Sequence, residues 1–272
     1  MNLIDLNKQI SALDVGESLR LESVPEDVYH ASEGFGSSKV KTFMSCPLSL
    51  KHELEHGFKE PTPAMVKGSA FHMAVLEPER FRKSYAIKPE GINKRTKAGK
   101  EEFAAFEESC KGKEIIDMKM ADEVSAMLES CNEQFGHMLA DGAAEVSYWR
   151  KHESGLVLKA RIDYERGDLA LDLKSTADPV NFLKACRNFR YDIQAVHYMY
   201  VSQLKEMIFL PTGSTAPFLS GSPVMISEDR LSQVAFTWGR AIDDLADSLT
   251  FDIWQGLPKD IQTLDIAPWE QI

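Results

Sequence analysis

Residues 160–176 read ARIDYERGDLALDLKST, two β-prone runs hinged on Glu165-Arg166-Gly167-Asp168, the pattern of a β-hairpin. Three side chains with chemistry fall on it. Asp172 and Lys174 lie two residues apart on the second run, so they share one face of a strand. Hairpin pairing brings Asp163 of the first run beside them. Asp172 is flanked by Ala170, Leu171 and Leu173, and an unpaired carboxylate in an otherwise apolar strand is costly to bury. A bound cation offsets that cost, and two carboxylates suit a hard, oxygen-liganded ion such as Mg²⁺ or Mn²⁺. The set fits phosphodiester hydrolysis. Metal ions neutralise charge on a phosphate and acidify water. A lysine alongside orients or helps deprotonate that water if its own pKa is depressed.

Upstream, AEVSYW (144–149) and LVLKARIDY (156–164) alternate as strands do, separated by Glu153-Ser154-Gly155. With 169–174 they predict an antiparallel meander. Further upstream the period becomes helical. Residues 37–57 predict a helix broken near Pro47 and capped by Ser37 or Ser38. Residues 65–75 predict a second, in which the small Gly68, Ser69 and Ala70 precede His72 and permit close packing. Residues 93–100 read as a flexible basic loop. Residues 101–109 and 117–135 predict helices, the latter with Met120, Val124, Met127, Leu128, Cys131 and Phe135 on one face. Downstream, helices are predicted over 179–187, capped by Asp178 with proline at the first position, and over 192–205, where Gln194 and Tyr198 share a face. Strands at 207–210 and 224–226 and a helix from 228 to about 250 complete the order. Helices, meander, helices and late strands make a mixed α/β domain with its sheet covered on both faces.

The 272 residues, 43% hydrophobic and 27% charged, have ordinary globular composition. No run approaches the roughly 18 apolar residues of a membrane helix, and MNLIDLNKQISALDVGESLR lacks the apolar centre of a signal peptide. A cytoplasmic protein without membrane partners is expected. Cys46, Cys110, Cys131 and Cys186 form no C-x-x-C pair, which disfavours zinc ribbons. No G-x-x-x-x-G-K-[ST] loop occurs, so no ATP is expected. The net charge of −11 argues against nucleic acid, but it is unevenly spread. Residues 82–100 carry seven basic residues and one acid, whereas 101–145 carry twelve acids and three lysines.

The order Gly68-Ser-Ala-Phe-His72, Ile162-Asp163, Asp172-Leu-Lys174 and Gln194-x-x-x-Tyr198 resembles the RecB-type branch of the PD-(D/E)xK nuclease superfamily. It is most similar to the C-terminal exonuclease domain of exodeoxyribonuclease VIII (RecE) and its phage relatives. The resemblance runs over about 37–204 and takes in Ser38, Cys46 and Pro47, LEPERF (76–81), RTKAGK (95–100), AEVSY (144–148) and DLKSTAD (172–178). It implies an α/β (α+β), restriction-endonuclease-like core, a central mixed sheet flanked by helices. One nuclease domain would span 37–257, between an N-terminal extension (1–36) and a C-terminal tail (258–272).

The resemblance implies that His72, Asp163, Asp172 and the Leu173 carbonyl ligate Mg²⁺ or Mn²⁺ and that Lys174 is the catalytic lysine. Gln194 and Tyr198 would contact the scissile strand or orient the site, and Glu145 would serve a second metal or its water shell. Ser38, Lys39, Arg95 and Lys97 would contact DNA phosphates. Two positions depart from the family pattern. Ile162 stands where the family has proline, and Asp172 where it has glutamate. The cysteines lack the clustered spacing of iron–sulfur relatives, so no iron–sulfur cluster is expected.

The implied substrate is the end of linear double-stranded DNA. It would be degraded 5′ to 3′ into 5′-phosphorylated nucleotides, leaving a 3′ strand for a single-strand annealing protein in recombination. The implied assembly is a homo-oligomeric ring, trimer or tetramer, with 82–100 facing the channel, in a bacterial or phage-infected cytoplasm. Three alternatives stay open: an endonuclease or opposite-polarity nuclease on the same site, a DNA-binding module without catalysis, and a metal-binding protein for another phosphate substrate.

Overall fold

The computed structural model describes residues 2–57, 61–89, 91 and 95–261. The meander is present: β4 (Ala143–Lys151), β5 (Val157–Arg166) and β6 (Leu169–Thr176) run antiparallel through the middle of a six-stranded sheet. β7 (Glu206–Gly213) adds parallel to β6, and β8 (Val224–Met225) antiparallel to β7. At the other edge β1 (Ser18–Leu21) pairs antiparallel with β4, giving the order β1-β4-β5-β6-β7-β8. A separate parallel pair joins β2 (Tyr85–Ile87) to β3 (Glu114–Ile116).

Helices cover both faces. On one lie α3 (Ser37–Ser45), α10 (Tyr191–Ser202) and α11 (Glu228–Phe251), and on the other α5 (Pro63–Leu76) and α8 (Met118–Phe135). The two-residue period sorts the core between them. Leu158, Ala160 and Ile162 of β5 pack with Ile193, Trp238 and Ile242. Leu171 and Leu173 of β6 point the other way, onto Phe71, Met127, Cys131 and Phe135. Burying one such side chain contributes roughly 1.5–3 kcal/mol. The remaining helices are α1 (Leu3–Ser11), α2 (Glu26–Ala31), α4 (Pro47–His56), α6 (Pro78–Ser84), α7 (Lys97–Ser109) and α9 (Phe182–Asn188).

Several predicted boundaries move. Pro47 divides α3 from α4, but Gly36 stands at the cap position of α3 and neither Ser37 nor Ser38 caps it. Thr96 accepts from the Gly99 N–H, so α7 begins at Lys97, within the predicted basic loop. Asn93, Lys94 and Glu90 of that region lie outside the described residues, as do 262–272 of the tail. The Asp178 carboxylate accepts from the Asn181 N–H at 3.0 Å, but this closes a turn, and α9 starts three residues later than predicted, at Phe182.

The N-terminal segment packs against the edge of the sheet. Residues 2–36, read as an extension, supply α1, β1 and α2; Leu6 and Ile10 of α1 and Tyr29 of α2, with Leu13 and Val24 of the connections, enclose Trp149 of β4. Lys159 of β5, 5% exposed, donates to the carbonyls of Tyr29 at 2.8 Å and Ser32 at 2.7 Å. Those carbonyls lie at the C-terminal end of α2, where helix carbonyls lack intrahelical partners, and the Tyr29 carbonyl also accepts from the Ser32 hydroxyl at 2.7 Å. A four-residue strand and two short helices carry too few periods to be read from sequence.

Candidate active site

Backbone pairing of β5 with β6 runs from Arg166↔Leu169 to Tyr164↔Leu171. Beyond it the strands part, at Asp163 and Asp172. In the fork the Leu173 N–H donates to the Asp163 carboxylate at 2.8 Å, a side chain replacing the next acceptor of the ladder. Asp172, almost wholly buried, forms an ion pair with Lys174 and accepts from Gln194 Nε2 at 2.6 Å. Tyr198, one helical turn on, hydrogen-bonds to Gln194. His72 arrives from α5 with Nδ1 3.4 Å from Asp163 Oδ2 and a hydrogen bond to the Leu173 backbone. Gly68 permits this approach, because a Cβ there would lie 3.1 Å from Ser175 Oγ on β6.

Glu145 joins the group from β4. It lies between the paired Ala144↔Tyr164 and Val146↔Ile162, hence opposite Asp163. Its φ of 55° is left-handed, a conformation that costs a non-glycine residue about 1–3 kcal/mol and tends to mark functional sites. Its carboxylate pairs with Arg161 Nε at 2.9 Å.

Burial pushes the Asp172 carboxyl up to about 6; Lys174 opposes this and Asp163 adds to it. Burial likewise raises Asp163 and Glu145, and the charge on Asp163 raises Glu145 further. Burial alone would lower Lys174, but Asp172 and Asp163 outweigh it and hold the ammonium above its usual range. The depressed lysine pKa anticipated for a general base is thus reversed by two carboxylates, and Lys174 stands as a cation. Burial, aided by Lys174, lowers His72 to about 4. Its ring is neutral, the form that ligates metals.

Among the described residues no three His, Cys, Asp or Glu side chains form a ready cation cage. The expected ligands are adjacent but turned to one another, His72 to Leu173 and Asp163, and Asp172 to Lys174. The donor set nevertheless fits a hard divalent ion. Two buried, raised carboxyl groups, Asp163 and Asp172, lie at one fork beside the neutral His72 ring, with water and substrate able to complete the coordination.

Two cavities meet here. A cleft of about 1780 Å³ takes in His72, Glu145 and Arg161. A smaller cavity of about 430 Å³ takes in Ser37, Ser38, Lys41, Gln194 and Tyr198. Lys174, Ser175, Phe189 and Tyr191 line both. Of the four residues expected to touch phosphate, Ser38 alone lines either. Lys39 lies over the Phe35 ring, 5.6 Å from its centroid. Arg95 and Lys97 lie in neither lining, and the Lys97 side chain is 92% exposed beside Glu101.

Three contributors escaped the sequence. Lys41 lies one turn after Ser37, so helical spacing could have found it. Burial and the neighbouring Lys174 push its amine down to about 8. Arg161 precedes Asp163 by two on β5 and shares its face. Tyr191 places its ring 5.0 Å from Lys174 Nζ, a cation–π contact between separate elements.

The model of a family described as a PDDEXK-like domain of unknown function (DUF3799) matches residues 36–219. Among solved structures, that of a "putative exonuclease" from Eubacterium rectale superposes with a TM-score of 0.61 at 10% identity. It covers 91% of this chain and 97% of that one, and so shares the fold. No curated protein matches the sequence. Among the described residues no helix is long and apolar enough to cross a membrane.

Proposed function

The chain belongs to the PDDEXK-like DUF3799 family, and from that premise we propose that it is a divalent-metal-dependent exonuclease acting on linear double-stranded DNA. The observation that carries this reading is the fork of β5 and β6. It brings Asp163 and Asp172 together beside Lys174, which lines both cavities. Asp163, Asp172, the Leu173 carbonyl and His72 would hold the ion, Mg²⁺ or Mn²⁺. When bound, such an ion sets positive charge against the phosphoryl oxygens and acidifies an attacking water.

The chain's own groups then have separate tasks. Lys174, held as an ammonium by Asp172, orients the water and stabilises charge on the phosphate. Gln194 fixes Asp172, and Tyr198 fixes Gln194. The Leu173 N–H fixes Asp163. Water attacks phosphorus in line. A new P–O bond forms as the bond to the 3′ oxygen breaks, and a proton passes to that oxygen, leaving a 5′-phosphorylated nucleotide.

The resemblance to RecE-type nucleases supports 5′ to 3′ polarity, a 3′ strand handed to an annealing protein, and a ring of three or four copies. Digestion of blunt linear duplex labelled at the 5′ or 3′ end, with Mg²⁺ or with EDTA, tests the reading. Early loss of the 5′ label is expected, absent in EDTA and in Lys174→Ala, with closed circular duplex intact. A cut circle would make the enzyme an endonuclease. Binding without cleavage under every metal tried would leave a DNA-binding module.

A further inference from the structure

Phe189 follows α9 at the lip where the two cavities meet, and the residue is 61% exposed. The ring is not loose. It stacks on Tyr191 with centroids 6.0 Å apart, and Tyr191 stacks on the buried Phe209 at 5.2 Å. The Lys174 ammonium sits over the two inner rings, 5.0 Å and 5.8 Å from their centroids. The column therefore runs from the core, past the reacting lysine, to one ring facing solvent.

The backbone beside that ring is also held. Lys41 Nζ donates to the Phe189 carbonyl at 3.2 Å. The next residue, Arg190, is left-handed with φ 51°. Its Nε donates to Asp192 at 3.1 Å, and Arg230 Nε donates to the same carboxylate at 2.9 Å. A strained non-glycine residue persists only where its surroundings over-determine it. Here the surroundings aim an aromatic face outward, beside Lys174.

Flat π faces take stacked nucleobases with little regard to sequence. Inside a duplex the base faces are covered by neighbours; an end or an unpaired base leaves one open. Resting on the nuclease reading above, we propose that Phe189 is a stacking platform for a terminal or unpaired base next to the cleaved phosphodiester, which makes a free strand end the preferred substrate.

Duplexes carrying 2-aminopurine at the 5′ terminus or at an internal position are titrated with the full chain in Ca²⁺ in place of Mg²⁺, reading fluorescence and anisotropy together. Wild type and Phe189→Trp should quench the terminal probe and spare the internal one. Phe189→Ala should bind about tenfold more weakly, from the loss of one stacked base, and leave the probe bright. Leu183→Ala is the control. It removes an apolar side chain on α9 that is 57% exposed and lines neither cavity, and should match wild type. Phe189→Ala behaving as wild type overturns the platform, as does an equal loss in Leu183→Ala, which would indicate a general apolar docking patch. Wild type that cleaves end-labelled DNA without any Phe189 effect loses the platform alone. Wild type that neither binds nor cleaves loses the nuclease reading with it.

Discussion

Asp172 divides its two oxygens between Gln194 and Lys174, so each partner guards against a different loss. Lys174→Ala leaves a buried carboxylate without its counter-ion, a change that destabilises because the remaining charge is uncompensated. The penalty should be about 3–5 kcal/mol near pH 8 and smaller near pH 5, where Asp172 protonates; urea denaturation at the two pH values reads the difference. Cleavage should fall by about 10²–10³-fold, the usual contribution of one preorganised group that stabilises transition-state charge.

The raised Asp172 carboxyl has a second consequence. With a folded pKa of about 6 against the ordinary 3.8 of an aspartate, the folded chain binds more protons at this group than the unfolded one between those values. Metal-free stability therefore falls as pH rises through that window. A dication held by deprotonated carboxylates removes the penalty only above it. Mg²⁺ at ten times its dissociation constant should add about 1.4 kcal/mol near pH 7.5 and nothing near pH 5. Melting curves with MgCl₂ or EDTA check this, and Asp172→Asn should erase the difference.

At the scale of elements, α5 and β6 touch where Gly68 faces Ser175. Gly68→Ala should gain up to about 1 kcal/mol of helix propensity, but its Cβ would sit 3.1 Å from Ser175 Oγ and surrender part of the gain. In a Ser175→Ala background the gain should appear in full, so the two increments, measured by denaturation, should differ. Elements with enough residues to show a period were legible in sequence: β4, β5 and β6 by alternation and α8 by its apolar face. The start of α9 was not, because the Asp178–Asn181 bond serves a turn as well as a helix cap. Nor was β1, whose place depends on pairing with β4 and on the packing around Trp149. The site divides the same way. Asp172 with Lys174, and Gln194 with Tyr198, follow from spacing within one element. Tyr191 against Lys174 and the left-handed Glu145 opposite Asp163 depend on which elements meet.

At the scale of the whole molecule, a net charge of −11 gives DNA little general attraction. The cleft's cations are partly committed, Lys67 to Glu123 and Arg80 to Glu26 and Glu77. Phosphate contacts can come from Lys41 and Lys184, which line the cavities, from cations that give up these acids, or from the basic stretch at 82–100, whose described basic residues line neither cavity. The ring proposed above would resolve the conflict by turning that stretch toward a duplex held between subunits. Each phosphate contact contributes about 0.9 to the slope of log affinity against log salt. If Arg95 and Lys97 face such a channel, Arg95→Ala/Lys97→Ala should reduce that slope by about 2, in anisotropy titrations at concentrations where light scattering shows the assembly. Diluting to the single chain should abolish the difference, because one copy alone has no channel for the stretch to line. An unchanged slope in the assembled state would put 82–100 on the outer surface and leave DNA affinity to the cleft.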